Sequence, residues 1–193
     1  MRIRELVLPS PDRAGFHPPS YGATRLRFGD GPEVCSHFAV NVAPERFDDA
    51  VDWARRRAGL VADDVSFPAW RARAAYFFDP GGNIVELIAR ERAPGQAVFL
   101  EVSEVGLPVT DVDAAVDWLD AELGLPRFDV DPGRFGAMGD DRGLFIVVAV
   151  GRPWLFTEEP ATDAPLRVAI DAPGPRRELV VPGSGHVVEL GSG

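Results

Sequence analysis

Apolar and polar side chains alternate along many short stretches of the chain, and this pattern predicts a protein built mainly from β-strands. In the stretch 37–42, HFAVNV, the alternation places His37, Ala39 and Asn41 on one face and three apolar side chains on the other. The same pattern predicts further strands at 2–9, 22–28, 60–67, 100–109, 134–138, 143–150, 166–171, 176–182 and 186–191.

A β-hairpin is predicted over 73–92, RAAYFFDPGGNIVELIARER, where two apolar runs flank the turn sequence DPGGN. Along its second strand both faces are apolar except for Glu86. A carboxylate buried in this way is costly unless a cation or hydrogen-bond donors accompany it. Glu86 therefore either pairs with an Arg or Trp of the core or belongs to a functional site.

Two stretches have the apolar spacing of an amphipathic helix instead. The first follows strand 37–42, with Pro44 suited to its first turn and Gly59 suited to the position just past its end. The second begins at a cap formed by Thr110 or Asp111 and ends at Gly124. Each helix therefore lies between predicted strands in a β-α-β-β-β order.

Several segments of the chain recur, which indicates an internal duplication of about one hundred residues. The pattern E-x-x-L-P-x-x-D begins at Glu5 and again at Glu104. The repeated pairs also include RAAYFFDPGGNIVEL at 73–87 with RRELVVPGSGHVVEL at 176–190, and AVDWARRRAGL at 50–60 with AVDWLDAELGL at 115–125.

These repeats predict two halves, 1–92 and 97–193, joined by a Pro-Gly linker from Ala93 to Gln96, and two strand-rich modules in each half. Only the second and third modules retain a helix. The predicted fold class is α+β: tandem βαβββ-type modules forming two paired sheets, with helices missing from the first and fourth modules.

Composition narrows the function classes. The formal net charge of −10 argues against nucleic acid or an anionic membrane as the main partner. The single cysteine, Cys35, excludes an intramolecular disulfide, and the charged N-terminal sequence does not have the apolar core of a signal peptide. We therefore expect a cytoplasmic protein that acts on, or binds, a small molecule.

Paired β-α-β-β-β modules, one of them closed by YFFDPGGNIVEL at 76–87, resemble the vicinal oxygen chelate superfamily, which includes glyoxalase I, extradiol dioxygenases and bleomycin-resistance proteins. The resemblance implies U-shaped sheets that enclose a cavity. It places metal ligands on the first strand of each module and on the last strand, at Glu5, His37 and Glu86. A divalent Fe, Mn, Zn or Ni ion suits such a set, with His37 and Glu86 as the catalytic residues.

The equivalent positions of the second half are Glu104, Leu166 and Glu189 by the same resemblance. Because a leucine cannot ligate a metal, we expect the second pocket to be metal-free. The persistence of Glu104 in a half without a metal site also leaves a structural role open for Glu5. In that role Glu5 pairs with a nearby arginine; the candidates are Arg25, Arg73 and Arg176.

Other candidates are less specific. Cys35 is either a thiolate near the site or an inert buried thiol. His17 lies in a proline-rich bridge that forbids a regular element until about Tyr21, and is either a base or lid residue or a solvated loop histidine. The side chains that either line the pocket or fill the core are Trp70, Arg73, Tyr76 and Phe78.

The favoured function is a metal-dependent enzyme of glyoxalase or dioxygenase type that acts on a small oxygen-rich substrate. The alternative is a metal-free protein that binds or sequesters a small molecule, as bleomycin-resistance proteins do. A third alternative is a homodimer whose partner closes the cavity left open by the missing first helix.

Overall fold

The computed structural model describes residues 1–31, 33–91 and 97–191. The predicted linker from Ala93 to Gln96, and with it the boundary between the two predicted halves, lies outside the described residues. The described chain contains two α-helices, α1 (Phe47–Arg57) and α2 (Val112–Leu123). Its fourteen strands are β1 (Ile3–Leu8), β2 (Ser20–Tyr21), β3 (Thr24–Phe28), β4 (His37–Val42), β5 (Ala62–Phe67), β6 (Ala72–Phe78), β7 (Ile84–Arg90), β8 (Phe99–Val109), β9 (Arg127–Asp131), β10 (Phe135–Asp140), β11 (Gly143–Ala149), β12 (Arg167–Asp171), β13 (Arg177–Val180) and β14 (Val187–Gly191).

The helix ends follow the capping residues in the sequence. The carboxylate of Asp111 accepts a hydrogen bond from the N–H of Ala114 at 3.0 Å, which satisfies one free donor of the first turn of α2. Gly124 ends α2 in the left-handed conformation, with a φ of 62°. A single 3-10 turn that begins at Pro44 leads into α1. The two predicted helices are therefore confirmed, one in the second module and one in the third.

The strands form two mixed sheets that pair modules from opposite halves of the sequence. An eight-stranded sheet, in the order β5-β6-β7-β4-β8-β11-β10-β9, joins the second and third modules. A six-stranded sheet, in the order β13-β14-β12-β1-β3-β2, joins the first and fourth. At the centre of each sheet the first strands of two modules pair antiparallel, β4 with β8 and β1 with β12. Each sheet therefore contains strands from both predicted halves.

The two sheets and the two helices share one large apolar core. It contains Leu6 and Val168 of the six-stranded sheet, Val105 of the eight-stranded sheet, and Ala54 and Leu119 of the helices. Neither sheet could bury its apolar face alone. The six-stranded sheet therefore shares its core with the helices of the second and third modules. None of the helices in the described part of the chain is both long and apolar enough to span a bilayer.

The alternation predicted for β4 is confirmed and decides where the site lies. Phe38 and Val40 belong to the main core, whereas Ala39 belongs to a second apolar cluster on the opposite face of the eight-stranded sheet. His37 and Asn41 share the face of Ala39, because successive side chains of a strand point to opposite sides.

The expectation of a solvated His17 is wrong, because its ring is buried between the proline-rich segment and the β6–β7 turn. Its Nε2 lies 2.8 Å from an Oδ atom of Asp79, and its Nδ1 lies 2.9 Å from the hydroxyl of Tyr21. Asp79 also accepts hydrogen bonds from the backbone and side-chain N–H groups of Asn83, both at 2.8 Å. His17 thus fastens the bridge that replaces the missing first helix.

Candidate metal centre

Three buried side chains with metal-ligating atoms meet on the inner face of the eight-stranded sheet. They are His37 at the start of β4, Glu86 on β7 and Glu104 on β8. The register brings them together, because Ala39 lies opposite Glu86 in the parallel β4–β7 pair and opposite Glu104 in the antiparallel β4–β8 pair. The small side chain of Ala39 leaves the two carboxylates on either side of it free to approach each other.

The cluster is compact and almost completely shielded from solvent. One ligand atom from each of His37, Glu86 and Glu104 lies within 4.8 Å of the other two. The Nε2 of His37 is 3.7 Å from an Oε atom of Glu86. The exposed fractions of the three residues are 7 %, 4 % and 2 %. Two carboxylates buried this close are costly unless a cation or a proton lies between them.

Arg90 supplies part of the compensating charge from outside the cluster. It follows Glu86 by four residues on β7, and its guanidinium forms a buried ion pair with Glu104. The same group donates hydrogen bonds to the side-chain oxygens of Asn41 and, at 3.2 Å, Ser103. Glu104 therefore has a cationic partner, whereas Glu86 has no arginine within ion-pair distance among the described residues.

The surroundings shift the protonation of the cluster in a consistent direction. Burial lowers the pKa of His37 to about 4, so its imidazole is neutral at pH 7. Burial, and then the negative charge of Glu104, raise the pKa of Glu86 well above its usual range. Burial also raises the pKa of Glu104, but Arg90 opposes that effect. The site thus offers a neutral imidazole and a carboxyl group that holds its proton until a cation replaces it.

A cavity of about 130 Å³ opens onto the cluster. The indole of Trp154 covers His37, with ring centroids 5.1 Å apart. This contact requires a glycine at 106, since a Cβ there would lie 2.6 Å from the Cη2 atom of Trp154. The residues that line the cavity are His37, Phe67, Trp70, Tyr76, Ile84, Glu86, Glu104, Phe135, Ile146, Arg152, Trp154 and Leu155.

The structure brings His37 and Glu86 together but does not bring Glu5 to them. Glu5 lies on β1 of the six-stranded sheet, where it pairs with Arg25 at 3.2 Å. The physical reason is the pairing of modules: β1 joins β12 and β3, not β4. Of the three arginines predicted as structural partners of Glu5, Arg25 is the one observed.

The set predicted for the second half, which contains Glu104, is wrong. The predicted second set, Glu104 with Leu166 and Glu189, is divided between the two sheets, and Glu189 pairs with Arg176 at 2.7 Å in the six-stranded one. The signal that could have found Glu104 was the repeated helix. It marks the second and third modules as equivalent, and hence their first strands as neighbours.

The less specific candidates differ in whether they line the cavity. Trp70 and Tyr76 line the cavity, whereas Arg73 forms ion pairs with the exposed carboxylates of Asp48 and Asp64 on the side of the sheet that α1 covers. Phe78 packs against the apolar cluster that contains Ala39 but does not line the cavity. Burial raises the pKa of the half-buried Cys35 to about 12, which keeps the thiol protonated.

Comparison with known proteins identifies the fold. No protein-family profile and no curated protein matches the sequence. Solved structures do match: a provisionally assigned dioxygenase from Bacillus subtilis subsp. subtilis str. 168 aligns at 12 % identity over 98 % of this chain and 84 % of its own, with a TM-score of 0.63. Glyoxalase I from Zea mays aligns at 14 % identity over 98 % and 91 %, with a TM-score of 0.60. Both have the vicinal oxygen chelate fold, so the fold expected from the resemblance is confirmed.

Proposed function

We propose that the chain is a divalent-metal-dependent enzyme that acts on a small oxygen-rich substrate. The observation that carries the proposal is the convergence of His37, Glu86 and Glu104 within 4.8 Å at the end of a cavity. The solved structures of the same fold include a glyoxalase I and a provisionally assigned dioxygenase, which makes this chemistry a reasonable class for the scaffold.

The donor set fits a metal ion of intermediate hardness. One imidazole nitrogen and two carboxylates suit Fe, Mn, Zn or Ni, and three protein ligands leave positions open for substrate oxygens. Arg90 binds one oxygen of Glu104 and leaves the other free, which is how a hydrogen-bonded carboxylate is oriented toward a metal. When bound, the ion would polarise the substrate oxygens and stabilise negative charge that develops on them.

We assign proton transfer to Glu86. Its carboxylate lines the cavity beside His37, so it can take a proton from a substrate bound there and return it. Tyr76, which lies opposite Glu86 in the β6–β7 register, lines the same cavity. Trp154 shields His37 and restricts the entry of water.

Elemental analysis of protein purified without a chelator tests the proposal. We expect one divalent ion per chain, lost in His37→Ala and in Glu104→Gln because each variant removes a ligand. Glu5→Gln is the matched control: it removes a partly exposed carboxylate of the other sheet and should keep the ion. A cooperative thermal unfolding transition shows that each variant is folded. Metal-free wild-type protein that takes up no Fe, Mn, Zn or Ni would contradict the proposal.

A second candidate function, metal-free binding of a small molecule, is favoured by the Arg90–Glu104 ion pair. This pair, together with a protonated Glu86, leaves the cluster electrically compensated without any ion. Under this alternative the wild-type protein contains no stoichiometric metal, binds its ligand in the same cavity and does not convert it. The homodimer also stays a prediction, for which concentration-dependent sedimentation is the test.

A further inference from the structure

The cavity walls are unusually rich in aromatic rings for so small a space. Five rings face a cavity of about 130 Å³, which is close to the roughly 150 Å³ of an apolar cavity that holds benzene. One six-membered ring, or a flat molecule of similar size, therefore fills the cavity between these rings. The five are Phe67, Trp70, Tyr76, Phe135 and Trp154.

A single cation that lacks an ion-pair partner stands at this cavity. Arg152 lines it, is exposed at its mouth, and forms no ion pair with any described carboxylate. Its guanidinium lies over the ring of Phe135, 5.9 Å from the centroid. Arg152 is the one arginine among the side chains that line the cavity, in a chain of net charge −10.

The backbone fixes Arg152 relative to the aromatic walls. Its carbonyl oxygen accepts a hydrogen bond from the N–H of Ala161, and the N–H of Gly151 donates to the carbonyl of Ala161, both at 2.8 Å. Two residues further on, the N–H of Trp154 donates to the carbonyl of Glu159 at 2.9 Å. Arg152 and Trp154 therefore belong to one hydrogen-bonded loop, and both line the cavity.

Aromatic walls also suit organic cations, but the charges around this cavity favour an anion. Inside, the carboxylate of Glu104 is already neutralised by Arg90. At the mouth, Arg152 would repel an ammonium group and attract a carboxylate, which the planar guanidinium binds through two parallel hydrogen bonds. The indole N–H of the buried Trp154 has no partner among the described residues and is a further donor for an oxygen atom.

We propose that the cavity selects a small, flat, ring-sized monoanion, with a carboxylate held at the mouth and the ring between the aromatic walls, and that Arg152 determines this specificity. The inference rests on the proposed function in one respect. It places the end of the ligand that lacks the carboxylate next to His37, Glu86 and Glu104.

Three ligands with the same ring and different charge test the inference: benzoate, benzamide and benzylamine. Binding is measured by titration calorimetry on protein that has been dialysed against a chelator, so that no metal contributes. We expect benzoate to bind about tenfold more tightly than benzamide, because it gains one charged contact, and benzylamine to bind most weakly. Acetate, which has the charge without the ring, should bind far more weakly than benzoate.

Arg152→Gln should abolish the preference for benzoate over benzamide and leave the affinity for benzamide unchanged. Arg142→Gln is the matched control, since Arg142 is also exposed and without an ion pair among the described residues but does not line the cavity. Equal or tighter binding of benzylamine, or an unchanged preference in Arg152→Gln, would overturn the inference.

The outcome is separable from that of the proposed function. A wild-type protein without metal that still prefers benzoate through Arg152 would refute the enzyme and keep the ligand class. A metal-containing protein that binds benzoate, benzamide and benzylamine equally well would keep the proposed enzyme and refute the ligand class.

Discussion

The same sequence pattern, E-x-x-L-P, places a glutamate on the first strand of two modules, and the two sheets treat it in opposite ways. Glu104 on β8 is buried and pairs with the buried Arg90. Glu5 on β1 is partly exposed and pairs with Arg25, whose side chain is 70 % exposed. Position in the repeat therefore does not decide whether a carboxylate becomes part of a site; what covers it does.

Glu104 and Glu5 differ in burial because different elements surround them. Over the eight-stranded sheet, the loop that follows β11 places Trp154 against His37 and forms one wall of a cavity of about 130 Å³. The corresponding hollow of the six-stranded sheet is wide, at about 800 Å³, and is lined by charged side chains such as Arg25 and Arg176. Water screens the charges in the wide hollow, whereas each charge buried at the small cavity needs a fixed partner.

The largest expected effect is the loss of Arg90. Arg90→Met leaves Glu104 buried without its cation, and we expect the free energy of unfolding to fall by about 3–5 kcal/mol. Arg25→Met, the matched change in the other sheet, should lower it by less than about 1 kcal/mol because that pair is exposed. Urea denaturation of both variants measures the difference. Similar losses in the two variants would contradict the contrast between the hollows.

Replacing one glycine in each sheet should give the next largest effect. Gly106→Ala places a Cβ 2.6 Å from the Cη2 atom of Trp154, so we expect a destabilisation of about 1–3 kcal/mol and a displaced indole. Gly191→Ala, in β14 of the other sheet, meets nothing nearer than 3.5 Å and should be close to neutral. Thermal unfolding and tryptophan fluorescence report the two quantities. An unchanged emission spectrum in Gly106→Ala would show that Trp154 does not depend on this glycine.

Local patterns in the sequence predicted most elements of the fold. Alternation identified β4 and its two faces, and capping residues such as Asp111 and Gly124 located the helix ends, because these features depend on near neighbours in the chain. The internal repeat gave the number of modules and the absence of two helices.

The pairing of modules could not be read from the same patterns. Whether β1 joins β4 or β12 depends on which apolar faces cover each other in three dimensions, and the motif shared by β1 and β8 does not distinguish these pairings. Because the pairing of modules could not be predicted, the predicted site contains Glu5 where the structure has Glu104. The partner of His17 could not be predicted either, because Asp79 lies 62 residues away in the chain and reaches it only when the bridge folds back.

The smallest predicted effect is on the pH dependence of stability, and it has opposite signs at two buried groups. His186 is satisfied in its neutral form, since Nε2 lies 2.9 Å from the carbonyl of Pro108 and Nδ1 accepts from the N–H of Leu166 at 3.3 Å. Burial lowers the pKa of His186, so between its folded value and about 6.5 only the unfolded chain binds the proton. Stability is therefore lost as the pH falls through 6.5, by at most about 1.4 kcal/mol per pH unit.

Glu86 should act in the other direction, because its raised pKa lets the folded protein keep a proton that the unfolded chain releases. Its contribution to stability is present at low pH and is lost as the pH rises from about 4.5 toward the folded value. In the presence of a chelator, His186→Gln should thus lose less stability than wild type between pH 7 and pH 5, and Glu86→Gln should lose more. Urea denaturation at several pH values measures both slopes. If the two variants changed the slope in the same direction, the protonation state assigned to Glu86 would be wrong, since Arg90 neutralises only Glu104 and an ionised Glu86 without a metal leaves one uncompensated negative charge.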